Sequence, residues 1–234
     1  MSEEGKKRLA ILDALKVHPG KKIIDKLHGF NATNAVLWGN QRELVALIEK
    51  LENPDDPLMV MRMENRHLLE EKFTEVYRLL HNFLAAAATL VDHTRRMMDQ
   101  KTINAAHKAE HGRDIKLTFE SDPLSRFVKD FRNYVLHRDR PEINLTVHLV
   151  PEPAHHELLI GLESMLTWSK WSPPARSFVE SKSPHIRISE FVQPYGKKVR
   201  RFGSEFVDRF SNYYSDEIES AIDLMKEWNA GCAP

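Results

Sequence analysis

The feature that most constrains this chain is a stripe between Glu64 and Met98. Leu69, Phe73, Val76, Leu80, Phe83, Ala87, Leu90, Thr94 and Met97 follow one another at spacings of four and three throughout. Side chains so spaced share one face of an α-helix, and a face this apolar is the buried seam of a helix bundle. At about 1.5 Å per residue the helix would span roughly 50 Å, the length of a central strut. Within it, Ala85 to Ala88 present small side chains that let a second helix approach closely.

A second long helix is predicted from about Ile188 to Trp228, where Tyr195, Val199, Phe202, Phe206, Phe210, Tyr213, Ile218, Ile222 and Met225 again read near helical spacing. Pro194 lacks a backbone donor and fits best in a first turn, so regular helix is expected only from near Phe191. Between the two struts, Ser121-Asp122-Pro123 supplies a capping side chain ahead of a proline and opens a third helix. Leu124, Phe127, Val128, Phe131, Val135 and Leu136 form its apolar face. It is expected to stop between His137 and Arg140, because Pro141 disfavours helical geometry just before it.

Beyond Pro141 the period changes to two. Ile143, Leu145, Val147 and Leu149 alternate with polar residues as a half-buried strand, Pro151 to Ala154 make a turn, and His156 to Leu162 return as a second strand. Pro173-Pro174 opens a short helix to about Glu180, and Ile186 and Ile188 suggest a brief further strand. The first 57 residues hold two weaker helices, near Lys6 to Lys16 and Gln41 to Leu51, closed by Asn53-Pro54-Asp55-Asp56-Pro57. The chain reads as mostly α, a helical bundle with two long helices and a small β-hairpin insertion. Its divisions are an N-terminal helical extension over 1–57, a helical core over 58–140, a β-containing insertion over 141–188 and a long C-terminal helix over 189–234.

Charge excludes one class of partner surface. Lys plus Arg and Asp plus Glu both number 34, so nucleic acid cannot be held by bulk positive charge and any contact must come from a local patch. The only cysteine, Cys232, forms neither an intrachain disulfide nor a cysteine-rich zinc site. No apolar run approaches bilayer length, and no secretory core follows Met-Ser-Glu-Glu-Gly-Lys-Lys, so no membrane contact and a cytoplasmic location are expected.

The chemically suspicious segment is Arg132-Asn133-Tyr134-Val135-Leu136-His137, on the last turn of the third helix. Asn133 and His137 are four apart and share a face, whereas Arg132 lies well round the cylinder. Arg132 meets His137 only if the helix loosens there or a second chain brings the partners together. A histidine on a last turn feels the negative end of the helix dipole, which favours the protonated form. The plain alternative is that both residues cap the helix and pair with acids such as Asp130 or Asp139. Spacing alone does not discriminate, because Arg62 and His67 repeat it.

Phe131-Arg132-Asn133-Tyr134-Val135-Leu136-His137-Arg138, ending a helix inside a bundle, resembles the HEPN superfamily, whose hallmark is an arginine, a polar residue directly after it, and a histidine four to six positions beyond the arginine. Arg132, Asn133 and His137 satisfy all three parts, and Arg62 fails because Met63 follows it. His81-Asn82-Phe83-Leu84-Ala85-Ala86 and Leu90-Val91-Asp92-His93-Thr94-Arg95 are also similar to uncharacterised bacterial proteins of this kind. The resemblance covers roughly residues 64 to 140 and, more loosely, the C-terminal helix. It implies metal-independent RNA cleavage, often in defence or toxin systems, with RNA as partner, a homodimer sharing the site and in some systems a protein regulator. It assigns the site to Arg132, Asn133 and His137: His137 as acid or base, Arg132 on the phosphate, Asn133 orienting either. The rival reading is a non-catalytic HEPN-like module binding RNA, a nucleotide or a protein; a third is a scaffold serving only assembly.

Lys197, Lys198, Arg200 and Arg201 form a candidate phosphate-facing patch, although such a charge run is more often a solvated helix face. Of the 12 histidines, His107 and His111 are four apart and are read as exposed polar side chains, and His155-His156 as facing solvent beside a turn. Trp168 and Trp171 are expected to pack the insertion on the bundle. No metal and no cofactor is expected, since no glycine-rich phosphate loop, nucleophile elbow or dinucleotide fingerprint is present.

Overall fold

The four–three stripe folds as one uninterrupted helix. In a computed structural model, which describes residues 2–53, 62–100, 103–148, 150 and 155–230, helix α3 runs Arg66–Met98. Leu69 and Phe73 are half-buried, and the stripe from Val76 to Met97 is buried. The architecture is mostly α with a small antiparallel sheet, as the sequence predicts. No helix among the described residues is long and apolar enough to cross a membrane.

The N-terminal region differs from expectation. After α1 (Glu3–Val17), a single helix α2 runs Pro19–Glu52, where the sequence suggested only short, weak helices. Phe30, Leu37, Leu44 and Ile48 of α2 are almost wholly buried against α3, so α2 is a third long strut. Gly29, which is exposed, and Gly39, which is half-buried, dilute its helical signal, and packing of the buried face overrides that weakness. The Asn53–Pro57 break lies largely outside the described residues.

The C-terminal strut also departs from the single helix expected. Helix α8 spans Ile188–Tyr213 and α9 spans Ser215–Ala230, broken at Tyr214. Pro194 lies inside α8 rather than in its first turn. Its missing N–H costs one helical bond, offset by Phe191, Val192 and Tyr195, all buried around it. Phe206 of α8 meets Phe30 at 5.3 Å, and Tyr195 meets Phe83 edge-on at 6.3 Å, closing a core among α2, α3 and α8.

Helix α4 (Ala105–Ile115) and a π turn over Lys116–Glu120 lead into α5 (Pro123–His137). Asp122 caps α5 as predicted, its Oδ2 accepting the Ser125 N–H at 2.7 Å. Strands β1 (Ile143–His148), β2 (His155–Gly161) and β3 (His185–Arg187) form an antiparallel sheet in that order. Leu158, Ile160 and Ile186 face the bundle. The C-terminal end of α2 receives the sheet: Glu52 Oε1 accepts the Leu158 N–H at 3.1 Å, and the Leu51 carbonyl lies 3.1 Å from His156 Nδ1. His156 is therefore buried rather than solvent-facing. Between β2 and β3 lie α6 (Glu163–Leu166) and α7 (Pro173–Lys182).

Candidate functional site

The motif helix α5 is held from behind by the insertion. Phe127 and Phe131 are fully buried and meet Phe191 edge-on, while Tyr134 packs between Trp168 and Trp171 at 5.5 and 6.2 Å. Both tryptophans thus pack as expected, and Trp171 Nε1 donates to the Met165 carbonyl at 2.8 Å. The helix ends where predicted: the Tyr134 carbonyl accepts the N–H groups of Arg138 and Asp139, and Asp139 Oδ1 accepts the Arg140 N–H.

The acids offered by the plain alternative are otherwise engaged. Asp130 is buried and its Oδ2 accepts both the N–H and the hydroxyl of Ser172, at 2.8 and 2.5 Å, tying α5 to the start of α7. Among the described residues neither Arg132 nor His137 forms an ion pair.

Arg132 and Asn133 are half-buried and line a hollow of about 130 Å³ between α3 and α5, with Lys129, Arg95 and Tyr195 on its walls. Arg132 Nε is buried with no hydrogen-bond acceptor. A buried charged donor without a partner costs more than an ordinary hydrogen bond returns, so it is poised to take an anion. Burial pushes the Tyr195 phenol up, an effect reinforced by Asp122 and opposed by the Arg132 charge.

His137 is exposed and does not line this hollow. At about 100° per residue, Lys129, Arg132, Asn133, Leu136 and His137 share an outward stripe about 140° wide, with Arg132 on one edge and His137 on the other. One chain therefore unites Arg132 with Asn133 and keeps His137 apart, because the helix stays regular to its last turn. Leu136, between the two edges, is 40% exposed.

Comparison with protein-family models, curated proteins and solved structures returns no match.

A second, wider hollow of about 470 Å³ adjoins the first, and Arg95 and Glu120 line both. Together they carry Arg95, Arg96, Lys108, Lys129 and Arg132 against Asp92, Asp99 and Glu120, five basic side chains to three acidic. Arg95 is engaged by Asp92 at 2.8 Å; Arg96, Lys108, Lys129 and Arg132 have no ion pair among the described residues. This is a local cationic patch on a chain of zero net charge.

The run chosen from sequence is a poorer candidate. Lys198 pairs with Asp122 at 2.5 Å, Arg201 with Glu205 at 2.7 Å, and Arg200 reaches Gln41 at 3.3 Å while lying over the Trp38 ring. Only Lys197 is exposed and without an ion pair among the described residues. Helical rotation distributes these four side chains to different neighbours. Sequence reasoning missed Arg96, Lys108 and Lys129 because they lie on three separate helices; the Arg95 segment was the one available signal.

His107 and His111 are likewise not the exposed pair expected. His107 stacks on Tyr213 at 3.6 Å, and His111 is buried beside Phe202 and Phe206 on the wall of the wider hollow. Burial pushes the His111 imidazole down to about 4, helped by the Arg209 charge, opposed by Asp114 and helped again by Arg95.

Proposed function

We propose that this chain is a HEPN-like, metal-independent endoribonuclease whose active site is shared between two copies, of the kind found in defence and toxin systems. The observation that carries the reading is the Arg132 guanidinium, with Nε buried and unpartnered on the wall of a hollow of about 130 Å³. Such a fork of donors suits a phosphate oxygen as its charge builds. Arg96, Lys108 and Lys129 extend the positive potential along a strand path.

The chemistry uses what RNA carries. Its 2′-hydroxyl attacks the adjacent phosphorus, forming the O2′–P bond and breaking the P–O5′ bond. The hydroxyl proton passes to a base, and the leaving 5′ oxygen takes one from an acid. His137 serves as one of these, supplied by the second copy across the stripe that contains exposed Leu136.

The test is cleavage of single-stranded RNA in the presence of chelator. Wild type cuts, His137→Ala loses about 10²–10⁴-fold in rate while its far-ultraviolet circular dichroism is unchanged, and a strand with 2′-deoxy sugars is not cut. Unaltered cleavage by His137→Ala would end the proposal. The separation of His137 from Arg132 in one chain favours a second reading, a module that binds RNA without cutting it. Salt-sensitive RNA binding, lost in Arg132→Ala with no cleavage by wild type, selects that reading.

A further inference from the structure

The outer face of the sheet carries a separate cluster of donor side chains. Strand alternation sends His156, Leu158 and Ile160 of β2 inward and leaves His155, Glu157 and Leu159 on the outer face. In the β1–β2 register His148 stands opposite His155, and Glu157 stands opposite Thr146, one step along the same face. Two donors thus come from one strand at i and i+2, and the third from its neighbour.

The three side chains converge. His148 Nε2 lies 3.1 Å from Glu157 Oε2, and the His148 and His155 rings stack with centroids 4.8 Å apart and planes 13° from parallel. One ligand atom from each lies within 4.8 Å of the other two. A tetrahedral ion with ligands at about 2.0–2.1 Å separates neighbouring donors by about 3.4 Å, so modest side-chain rotation seats all three on one centre. The remaining Glu157 oxygen, Oε1, lies 3.2 Å from Arg187 Nη1, and Arg187 also reaches Glu52 at 3.3 Å. A carboxylate held this way is oriented as the outer partners of metal sites orient their ligands.

We propose that His148, His155 and Glu157 bind one divalent transition-metal ion of the zinc class. Two imidazole nitrogens and one carboxylate select such an ion over magnesium or calcium, which prefer all-oxygen shells. The ion replaces the direct contact between His148 Nε2 and Glu157 Oε2. All three side chains are half-buried, which leaves the solvent side for water as a further ligand. None of them lines either hollow beside Arg132, and the site stands independently of RNA cleavage.

The experiment strips the full chain with chelator and titrates it with Co²⁺, followed by its visible spectrum, then displaces Co²⁺ with Zn²⁺. The expected result is one ion per chain, with affinity reduced at least tenfold in His148→Ala and in His155→Ala. His28→Ala, which removes an exposed histidine of α2, leaves affinity unchanged. Zn²⁺ raises the melting temperature of wild type and not of His155→Ala. Absence of a stoichiometric Co²⁺ spectrum, or affinity unchanged in both folded ligand variants, overturns the proposal and leaves a hydrogen-bonded His–Glu pair. If His148→Ala does not fold, His155→Ala alone decides, because its side chain is on the outer face.

Discussion

Acidification tests the burial of His111 directly. Its Nε2 is buried without a hydrogen-bond partner, and the imidazole is held at about 4 against an ordinary 6.5. Below 6.5 the unfolded chain takes a proton that the folded chain refuses, so the side chain's contribution is full above that value and lost as pH falls toward about 4. The difference of about 2.5 sets a ceiling of about 3 kcal/mol. Linkage puts the loss at about 2 kcal/mol by about pH 5 and about 3 kcal/mol by about pH 4. The assay is urea unfolding from pH 7 down to pH 4, on wild type and His111→Phe. Phenylalanine keeps a flat ring against Phe202 and Phe206 and removes the titrating group. Carboxylates titrate in both proteins, so the difference between the two curves isolates His111. At neutral pH the two stabilities stay within about 1 kcal/mol, since an unpartnered polar atom is exchanged for carbon. Parallel pH profiles for the two proteins would refute the reasoning.

Two further predictions concern the shared site and the packing of α2. Mixing Arg132→Ala with His137→Ala, each inactive alone, restores about a quarter of wild-type cleavage if two-fold pairing joins Arg132 of one copy to His137 of the other; no recovery in verified mixed dimers removes the shared site. The same substitution at two glycines of α2 has opposite signs. Gly29→Ala meets nothing within 4 Å and raises stability by about 0.5–1 kcal/mol, whereas a Cβ at Gly20 would lie 1.7 Å from the Glu217 carbonyl oxygen. Gly20→Ala forces α2 and α9 apart and costs about 1–3 kcal/mol, read as a lower urea midpoint. Equal effects at the two positions contradict this packing.

Local chemistry determined much of this protein in advance. The four–three stripe of α3, the Asp122-Pro123 start of α5, its end before Pro141 and the alternation of β1 each depend on residues close in sequence, and each is visible there. So is the Arg132–Asn133–His137 segment as a chemical candidate. The full length of α2 was not visible, because Gly29 and Gly39 blur its period and only contact with α3, α8 and α9 rewards the whole helix. The passage of α8 through Pro194 has the same cause, since burial of Phe191, Val192 and Tyr195 outweighs one lost bond.

The tertiary structure alone decided which charges are spoken for. Asp130 is given to Ser172, and Lys198 and Arg201 to nearby acids, while Arg132 is left without an ion pair among the described residues, beside Lys129 of its own helix and Arg95 of α3. The cross-strand meeting of His148, His155 and Glu157 needed the hairpin register, and the neutral His111 needed α4 and α8 packed together. A sequence records which groups a chain owns. Their desolvation and their distances to groups far along the chain exist only once the helices are in contact, and those two quantities set both the pKa of His111 and the readiness of Arg132 for an anion.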